Sequence, residues 1–455
     1  MKYFRVFFIF TIFGLLMVPL VNIDKSGSSQ QENRTLANFP ELILEGKPNY
    51  NFGKEFEAWL DDRFYGRQKL INVRFWLMNK INGKIENEYA FVGQDGWMFE
   101  KKDIFAIPSI DDQNQLLNNA INIYKKLGEK LKEKNIPLYI VFLPTRTQIY
   151  QRYWEKYYKP RLQLKYVDDI TNSLQEYPNI HIIDLTNELL EASQKEEIAY
   201  KDDIHFNFTG AEIIRNRLYE ELKKDFFPDF DLYWKIVPGY LNTRQRVRNF
   251  LGLEPINRAE EDFFVDKILF EPEAEYSLLQ YDIRQNYWPR FEKTSSQHAI
   301  LNKNLVVEGF CFAQGANRIF APIFRNTYYF RVYDYEIDKK YMIFNRAFLL
   351  RLLSKDSVLV LFENAPQFKE VEHLDKLLAD YDELSKEDVC SLVFKHLYWI
   401  DCMQIEDNQL RRLENGETAT YQKEGNVYVV HWDNYSATER FVCDSDNVCV
   451  LESAD

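Results

Sequence analysis

Two stretches of the chain carry residue types that could perform acyl-transfer chemistry. The first, YKDDIHFNFTGAE (Tyr200–Glu212), places Asp202 and Asp203 close to His205. A carboxylate beside an imidazole fixes its tautomer, so that the other ring nitrogen can accept a proton from a nucleophile. The same stretch is also typical of a surface loop in which Thr209 caps the next helix and the histidine has no role. Taken alone, this short spacing is a weak signal.

The second stretch is LVVEGFCFAQGA (Leu305–Ala316), which has the pattern of a buried strand ending at Gly309. It predicts a sharp turn that exposes the Cys311 sulfur above the sheet, and a helix from about Gln314. Backbone N–H groups at such a turn can bind an oxyanion, and the helix dipole would lower the pKa of the thiol. The alternative is that Cys311 is a small, inert hydrophobic residue of the core.

Other polar residues give weaker signals. Asn364 follows a predicted strand and could donate a hydrogen bond to an oxyanion, although strand ends often carry Asn for the turn alone. The remaining histidines show no metal-ligand spacing with cysteines or carboxylates, so we predict no metal and no soluble cofactor. They are His181, His298, His373, His396 and His431.

The elements that must position these residues alternate between helix and strand. A helical pattern over Asp112–Lys134 precedes the apolar run Ile136–Pro144, which fits a strand buried on both faces. The alternation continues with helical stretches at 162–175 and 210–224 and with the strands IHIIDLT, LVVEGF, YYFRVYDY and SVLVLFEN. This order predicts a three-layer α/β/α domain around a mostly parallel sheet, with reactive residues beyond the carboxyl ends of the strands.

Further patterns place the flanking elements. Phe91–Glu100 has the Asp-Gly signature of a hairpin. Apolar residues between Asn51 and Lys84 recur at helical spacing, and we interpret them as core residues. They are Phe56, Trp59, Leu60, Phe64, Leu70, Val73, Phe75 and Trp76.

The N-terminus and the charge balance narrow the class of protein. Val6–Ile23 is an uncharged apolar segment that follows Lys2 and Arg5, and no A-x-A-like cleavage site follows it. These features favour a membrane anchor over a cleaved signal, with the body of the protein outside the cytoplasm. The net charge of -13 argues against a nucleic-acid partner.

The cysteines and the composition suggest a division into four parts. Cys443 could pair with Cys449 and Cys390 with Cys402 in an oxidising compartment, although sequence does not fix the connectivity. We predict an anchor or signal at 1–23, a linker at 24–50 and the α/β domain at 51–387, with an unassigned insertion at about 226–304. A small β-rich, cysteine-containing appendage is predicted at 388–455.

The order of these parts resembles the AlgX/AlgJ-like family of SGNH-hydrolase-like proteins, the alginate O-acetyltransferases and their DHHW-motif relatives. The family has an Asp-x-His-Trp motif and, later, a Gly-Asp-Ser motif whose serine carries the acetyl group. Asp203 and His205 match the first motif, with a phenylalanine in place of the tryptophan. Gly309, Phe310 and Cys311 fall where Gly, Asp and Ser would be. The matching segments are the N-terminal anchor, ENRTLANFPEL, WLDDRFYGRQKLI, VGQDGWMFE, FLPTRTQIY, DDIHFNFTGA and VVEGFCFAQ.

The resemblance implies a membrane-anchored, extracytoplasmic enzyme that O-acetylates a cell-envelope or secreted polysaccharide. Cys311 would be the nucleophile and His205 the base, with His205 oriented by Asp203, or by Asp202 at the spacing of other SGNH enzymes. Arg146 would be the basic residue near the site, in contact with an anionic sugar or merely solvated in its loop. A membrane-bound acyltransferase would be the acetyl donor. The alternatives are an inactive polysaccharide-binding or scaffold protein and a Cys–His hydrolase.

Overall fold

The computed structural model describes most of the chain beyond residue 27. The described residues are 23, 28–29, 34–44, 47–82, 85–87, 89–105, 110–158, 166–241, 247–248, 251, 253, 260–281, 291–309, 313, 316–331, 347–353, 356–365, 374–375, 378–379, 390–396, 400–413, 416–434, 437–444 and 447–454. The predicted anchor therefore lies outside them, apart from Ile23. Among the described residues, none of the helices is long and apolar enough to cross a membrane.

Eight α-helices have named bounds in these ranges. They are α1 (Phe52–Arg63), α2 (Arg67–Asn82), α3 (Lys102–Phe105), α4 (Ile110–Glu133), α5 (Arg146–Ile149), α6 (Tyr166–Leu174), α7 (Thr186–Lys195) and α8 (Phe208–Phe226). The strands before the barrel are β1 (Ser28–Ser29), β2 (Arg34–Thr35), β3 (Ile43–Leu44), β4 (Lys47–Pro48), β5 (Ala90–Val92), β6 (Met98–Glu100), β7 (Leu138–Pro144), β8 (Ile180–Asp184), β9 (Tyr233–Leu241), β10 (Glu260–Glu271), β11 (Ser277–Tyr281), β12 (Phe291–Ser295), β13 (Leu301–Gly309), β14 (Phe324–Arg331) and β15 (Ser357–Ala365).

A seven-stranded sheet organises the α/β domain, in the order β11-β12-β14-β13-β15-β7-β8. The five strands from β14 to β8 run parallel to their neighbours, whereas β11 and β12 join the edge antiparallel. Each of β7, β13 and β15 contains a run of apolar residues, because both faces of a central parallel strand are covered. The predicted mostly parallel sheet is confirmed.

Two apolar cores cover the two faces of this sheet. The first core joins side chains of α4 and α6 to alternate residues of β7, such as Ile140. The second joins α7, α8 and the hairpin β5–β6 to the intervening residues, such as Val141. Since successive side chains of a strand point to opposite faces, this alternation defines the three layers that the sequence predicts. The hairpin turn is also confirmed, with Asp95 and Gly96 both at positive φ.

The stretch at 226–304, which the sequence left unassigned, contributes to both a hairpin and the sheet. Strands β9 and β10 pair antiparallel with each other. Strands β11 and β12 then extend the main sheet, and β13 begins at Leu301. Strand β12 is hidden from a sequence reading because its charged residues Glu292 and Lys293 are buried, where they contact Arg318 and Asp444.

The C-terminal region, predicted as a β-rich appendage, forms a closed seven-stranded barrel, β16–β22. Its strands are β16 (Leu392–Lys395), β17 (Ile400–Glu406), β18 (Gln409–Arg412), β19 (Thr418–Glu424), β20 (Val427–Trp432), β21 (Thr438–Cys443) and β22 (Val448–Ala454). Disulfides join Cys390 to Cys402 and Cys443 to Cys449, as the sequence allowed. Lys293 of β12 contacts Asp444 of the barrel at 2.5 Å, so the barrel packs on the α/β domain.

The N-terminal helices correct one interpretation of the sequence. Residues of α1 such as Phe56 and Trp59 are half-buried, and both pack edge-on against Phe39 and tilted against each other. Leu70, Val73 and Trp76 of α2, however, are exposed and are not core residues. Helical spacing identifies a common face, but it does not tell whether that face meets the protein or something else.

Candidate active site

The loop between α7 and α8 holds the aspartates and the histidine, and backbone contacts close it at its base. Ala199 forms an isolated β-bridge with Phe206, and the Asn207 N–H donates to the Ile198 carbonyl at 3.0 Å. The Asn207 side chain accepts a hydrogen bond from the Gly210 N–H at 3.1 Å and caps α8. The cap is therefore Asn207 and not Thr209, because the helix begins at Phe208, two residues earlier than the sequence pattern indicates.

Gly210 allows this loop to close tightly on the helix. A Cβ at this position would lie 2.3 Å from the Ile198 carbonyl oxygen and 3.0 Å from the Phe206 Cβ. Real Cβ atoms do not approach backbone oxygen so closely, so a side chain here would push the helix away from the loop. The glycine thus sets the distance between α8 and the segment that carries His205.

Asp203 and His205 form a buried pair within the loop. The Asp203 carboxylate contacts His205 Nδ1 and also accepts a hydrogen bond from the His205 N–H at 3.1 Å. Two contacts to one carboxylate oxygen fix both the ring and its backbone, so that proton transfer would pass through Nε2. Asp202 is buried as well, and its carbonyl accepts hydrogen bonds from Val247 and Arg248. The structure thus brings Asp203, at the Asp-x-His spacing, to the imidazole.

Arg146 holds this loop against the end of β7. It opens the short helix α5, where Thr145 and Gln148 form a capping box. Its Nε donates to the Tyr200 carbonyl at 2.7 Å, and its Nη2 donates to the Met98 carbonyl at 2.9 Å and to the Lys201 carbonyl at 2.7 Å. These bonds link the hairpin β5–β6 and the histidine loop to one guanidinium.

Burial and the surrounding rings explain the electrostatics of Arg146. The side chain is 4% exposed and lies 5.0 Å from the Trp97 ring and 4.9 Å from the Phe99 ring. Desolvation lowers the pKa of the guanidinium to about 10, while Asp203 and Asp103 act in the opposite direction. Arg146 is therefore a positioning residue of the loop, which the sequence did not predict; its contact with an anionic sugar stays a prediction.

Strand β13 ends at Gly309, and its surroundings show why a glycine is found there. A Cβ at Gly309 would lie 2.6 Å from the Phe362 Cβ and 3.0 Å from the Ala313 Cβ. β15 separates β13 from β7, so Gly309 lies about 10 Å, two strand spacings, across the sheet from the strand that leads to Arg146. Phe310 and Cys311 lie outside the described residues, and their predicted roles stay predictions.

The segment after this strand differs from the predicted helix. Over 316–323, the residues that the structure describes contain a single 3₁₀ turn, Arg318–Phe320. A turn this short has no appreciable dipole, so the described part of the segment gives no support to a helix that lowers the cysteine pKa. A buried, two-bonded ion pair between Arg318 and Glu292 of β12, at 2.9 and 2.7 Å, ties the segment to the sheet instead.

Asn364 lies at the carboxyl end of β15, between the two halves of the predicted site. Its backbone pairs in register with Leu143 of β7. Its side chain is not among the described ones, so its role as an oxyanion donor stays a prediction.

The Arg318–Glu292 pair was missed because its two members are far apart in sequence and one belongs to the unassigned insertion.

The described residues supply one half of a site for nucleophilic catalysis, at the carboxyl ends of the parallel strands. It has a buried carboxylate, an oriented imidazole and a rigid support for their loop, at the end where parallel strands present reactive groups. Within the described part of the chain, no group of three or more His, Cys, Asp or Glu side chains could hold a metal ion. Such a carboxylate–imidazole pair serves acyl transfer when a serine or cysteine is placed within reach of Nε2.

Comparison with known proteins identifies the class of this domain. Residues 90–232 match the model of the family described as the SGNH hydrolase-like domain of acetyltransferase AlgX. This range includes the hairpin β5–β6, Arg146, Asp203 and His205. Over this region the chain is similar to the SGNH hydrolase-like domain of AlgX, in agreement with the resemblance seen in the motifs.

Similar solved structures are distant from this chain. PatB1 from Bacillus cereus is 13% identical, covers 63% of this chain and 97% of its own, and superposes with a TM-score of 0.41. The O-acetyltransferase domain of AlgJ from Pseudomonas putida is 12% identical, with coverages of 65% and 100% and a TM-score of 0.38. AlgX from Pseudomonas aeruginosa is 16% identical, with coverages of 60% and 61% and a TM-score of 0.36. At such TM-scores the assignment rests on the family match. The curated proteins gave no match.

Proposed function

We propose that this protein is an extracytoplasmic O-acetyltransferase that acetylates hydroxyl groups of a cell-envelope or secreted polysaccharide. The observation that carries the proposal is the buried Asp203–His205 pair in a region that matches the AlgX acetyltransferase domain. The two disulfides of the barrel support an oxidising compartment outside the cytoplasm. A membrane-bound acyltransferase is the proposed acetyl donor, and Val6–Ile23 is the proposed anchor.

The proposed reaction has two acyl transfers. In the first, the Cys311 sulfur attacks the donor carbonyl while His205 takes the thiol proton and passes it to the departing oxygen, which leaves an acetyl thioester. In the second, a sugar hydroxyl attacks the thioester while His205 accepts the hydroxyl proton and returns it to the sulfur. Asp203 keeps Nδ1 protonated and stabilises the imidazolium that forms in each transfer.

The order of the chain supports this pairing of residues. Gly309 ends a parallel strand on the sheet face that packs against α8, and the nucleophile follows two residues later. Asp202 and Asn364 are secondary candidates, for orienting His205 and for binding the oxyanion. Phe310 replaces a carboxylate of the family motif, so we assign it no catalytic step.

The test is a measurement of covalent acetylation. The full chain, kept in detergent, is incubated with an activated acetyl ester and examined by peptide mass spectrometry for acetyl on Cys311. Cys311→Ala and His205→Ala should abolish the adduct, whereas His431→Ala, which changes an exposed histidine of the barrel, should not. Absence of the adduct in the unchanged protein would favour an inactive polysaccharide-binding protein or scaffold.

Acceptor specificity distinguishes a transferase from a hydrolase. With oligosaccharides present, the proposal predicts acetylated sugar as the main product and little free acetate. Release of acetate regardless of the sugar would instead identify a Cys–His esterase.

A further inference from the structure

Helix α2 presents a row of apolar side chains to solvent instead of to the core. Their exposed fractions lie between 43% and 74%. Four of them follow the i, i+3, i+7, i+11 spacing of one helix face, and a tryptophan borders them: Leu70, Val73, Leu77, Ile81 and Trp76. We call these five residues the α2 stripe. Scattered apolar residues on a surface need no explanation, but a continuous row of this length marks an interaction surface.

The charges of α2 have one sign. The helix contains four basic residues and no Asp or Glu, in a chain whose net charge is -13. Lys69, Arg74 and Lys80 are exposed, and a helix of 3.6 residues per turn places Arg74 on one side of the four aliphatic residues and the two lysines on the other, between them and Trp76. The apolar row is therefore bordered by positive charge on both sides.

We propose that α2 lies in the plane of an anionic phospholipid membrane, with the α2 stripe inserted at the boundary between headgroups and acyl chains. An exposed apolar row flanked by Lys and Arg can bind the interface of an anionic membrane in this way. Long Lys and Arg side chains extend to the lipid phosphates while their stems cover apolar surface. Trp76 has the amphipathic ring that favours the membrane–water interface.

The charges disfavour a second copy of the chain as the occupant of this face. Two α2 helices packed through their stripes would bring four positive charges against four others. Like charges across an interface oppose association, whereas an anionic lipid surface attracts each of them. The inference stands apart from the acyl-transfer proposal, because it uses none of the residues of the candidate site.

The experiment compares hydrogen exchange of α2 in two lipid environments. The full chain is reconstituted in nanodiscs of phosphatidylcholine alone or of phosphatidylcholine with phosphatidylglycerol, and deuterium uptake is measured on peptides covering 67–82. The proposal predicts slower exchange in these peptides only when phosphatidylglycerol is present. A cation near an anionic surface contributes roughly fivefold to affinity, so reversing three of them should weaken the lipid contact by about a hundredfold or more.

Matched variants separate a local contact from the effect of net charge. Lys69→Glu, Arg74→Glu and Lys80→Glu together should abolish the protection, and so should Leu70→Ser with Ile81→Ser. Lys126→Glu, Lys132→Glu and Lys224→Glu change the net charge equally at exposed lysines of α4 and α8, and they should leave the protection intact. Acetylation of Cys311 should be measured in parallel, because its rate should be unchanged in the charge-reversal variant of α2, in the serine variant of α2 and in the control variant.

Three results would overturn the proposal. The first is equal exchange of 67–82 in both kinds of nanodisc. The second is protection that depends on protein concentration in detergent, which would identify self-association. The third is protection that arises only when another protein is added, which would identify a protein partner for the stripe.

Discussion

The histidine loop and helix α2 depart from ordinary burial in opposite directions. The loop buries Asp202, Asp203 and His205, and α2 exposes apolar side chains. Buried charge is costly unless it is paired and hydrogen-bonded, and the loop accordingly has numerous fixed contacts. Exposed apolar groups can be removed with little loss of stability, because they contribute little to the core. In the two proposals, the buried polar groups of the loop carry the chemistry and the exposed apolar groups of α2 contact the membrane.

The largest expected effect tests the buried pair. Asp203→Asn would offer an amide to His205 Nδ1, favour the wrong tautomer and reduce acetyl transfer to oligosaccharides by roughly 10⁴-fold, as in other carboxylate–histidine sites. Initial rates of acetyl-sugar formation provide the measurement. Asp202→Asn is the matched change and should cost much less. If Asp202→Asn were the more damaging of the two, Asp202 would be the residue that orients the histidine.

Arg146 offers the next test, of the support beneath the loop. Arg146→Ala removes the guanidinium donor from the buried Tyr200 and Met98 carbonyls and from the Lys201 carbonyl, which keeps the Met98 N–H, and should destabilise the α/β domain by about 3 kcal/mol. The loss of stability is measured from the shift of the urea midpoint, with unfolding followed by far-UV circular dichroism.

Arg152→Ala is a suitable control for Arg146→Ala. Arg152 is exposed, donates to one carbonyl, that of Ser193 at 2.8 Å, and lies over the Tyr150 and Tyr153 rings. Its loss should cost about 1 kcal/mol or less. Equal costs at the two arginines would show that burial of Arg146 does not stabilise the loop.

A pair of glycines extends the comparison to the backbone. Gly210→Ala would place a Cβ against the Ile198 carbonyl and should cost about 1–3 kcal/mol, with loss of acetylation activity as the loop moves. Gly53→Ala changes a helical glycine of α1 whose Cβ would meet nothing within 4 Å, and it should stabilise the protein by up to about 1 kcal/mol. Thermal unfolding of both variants shows directly whether each substitution lowers or raises the stability of the protein. A neutral Gly210→Ala would mean that the loop tolerates displacement.

Local patterns predicted the central elements of the fold well. The apolar runs of β7, β13 and β15 have few alternatives, because strands covered on both faces need continuous apolar sequence. The Asp-x-His spacing agrees with the buried contact between Asp203 and His205, since residues this close in sequence need only a loop to meet, and their catalytic roles stay predictions. Both agreements depend on interactions within a short stretch of chain.

Features that depend on distant residues escaped prediction. The three carbonyls bound by Arg146 have no side-chain signature, so only the fold reveals them. The 3₁₀ turn at Arg318–Phe320 replaces a predicted helix, and Glu292 anchors it from a strand that the sequence left unassigned. The periodicity of α2 identified a helix, but exposure depends on what the rest of the chain covers.

The smallest expected effect is at Leu70 of α2, and a buried leucine of α4 provides the contrast. Leu127 of α4 is fully buried, and Leu127→Ala should cost about 2–5 kcal/mol through lost contacts and a cavity. Leu70→Ala in α2 removes the same atoms from an exposed position and introduces alanine, the best helix former. The free energy of unfolding, obtained from urea titrations in detergent, should therefore change by no more than about 0.5 kcal/mol. A large cost at Leu70 would show that the stripe packs within the protein, and it would remove the reason to place α2 on a membrane.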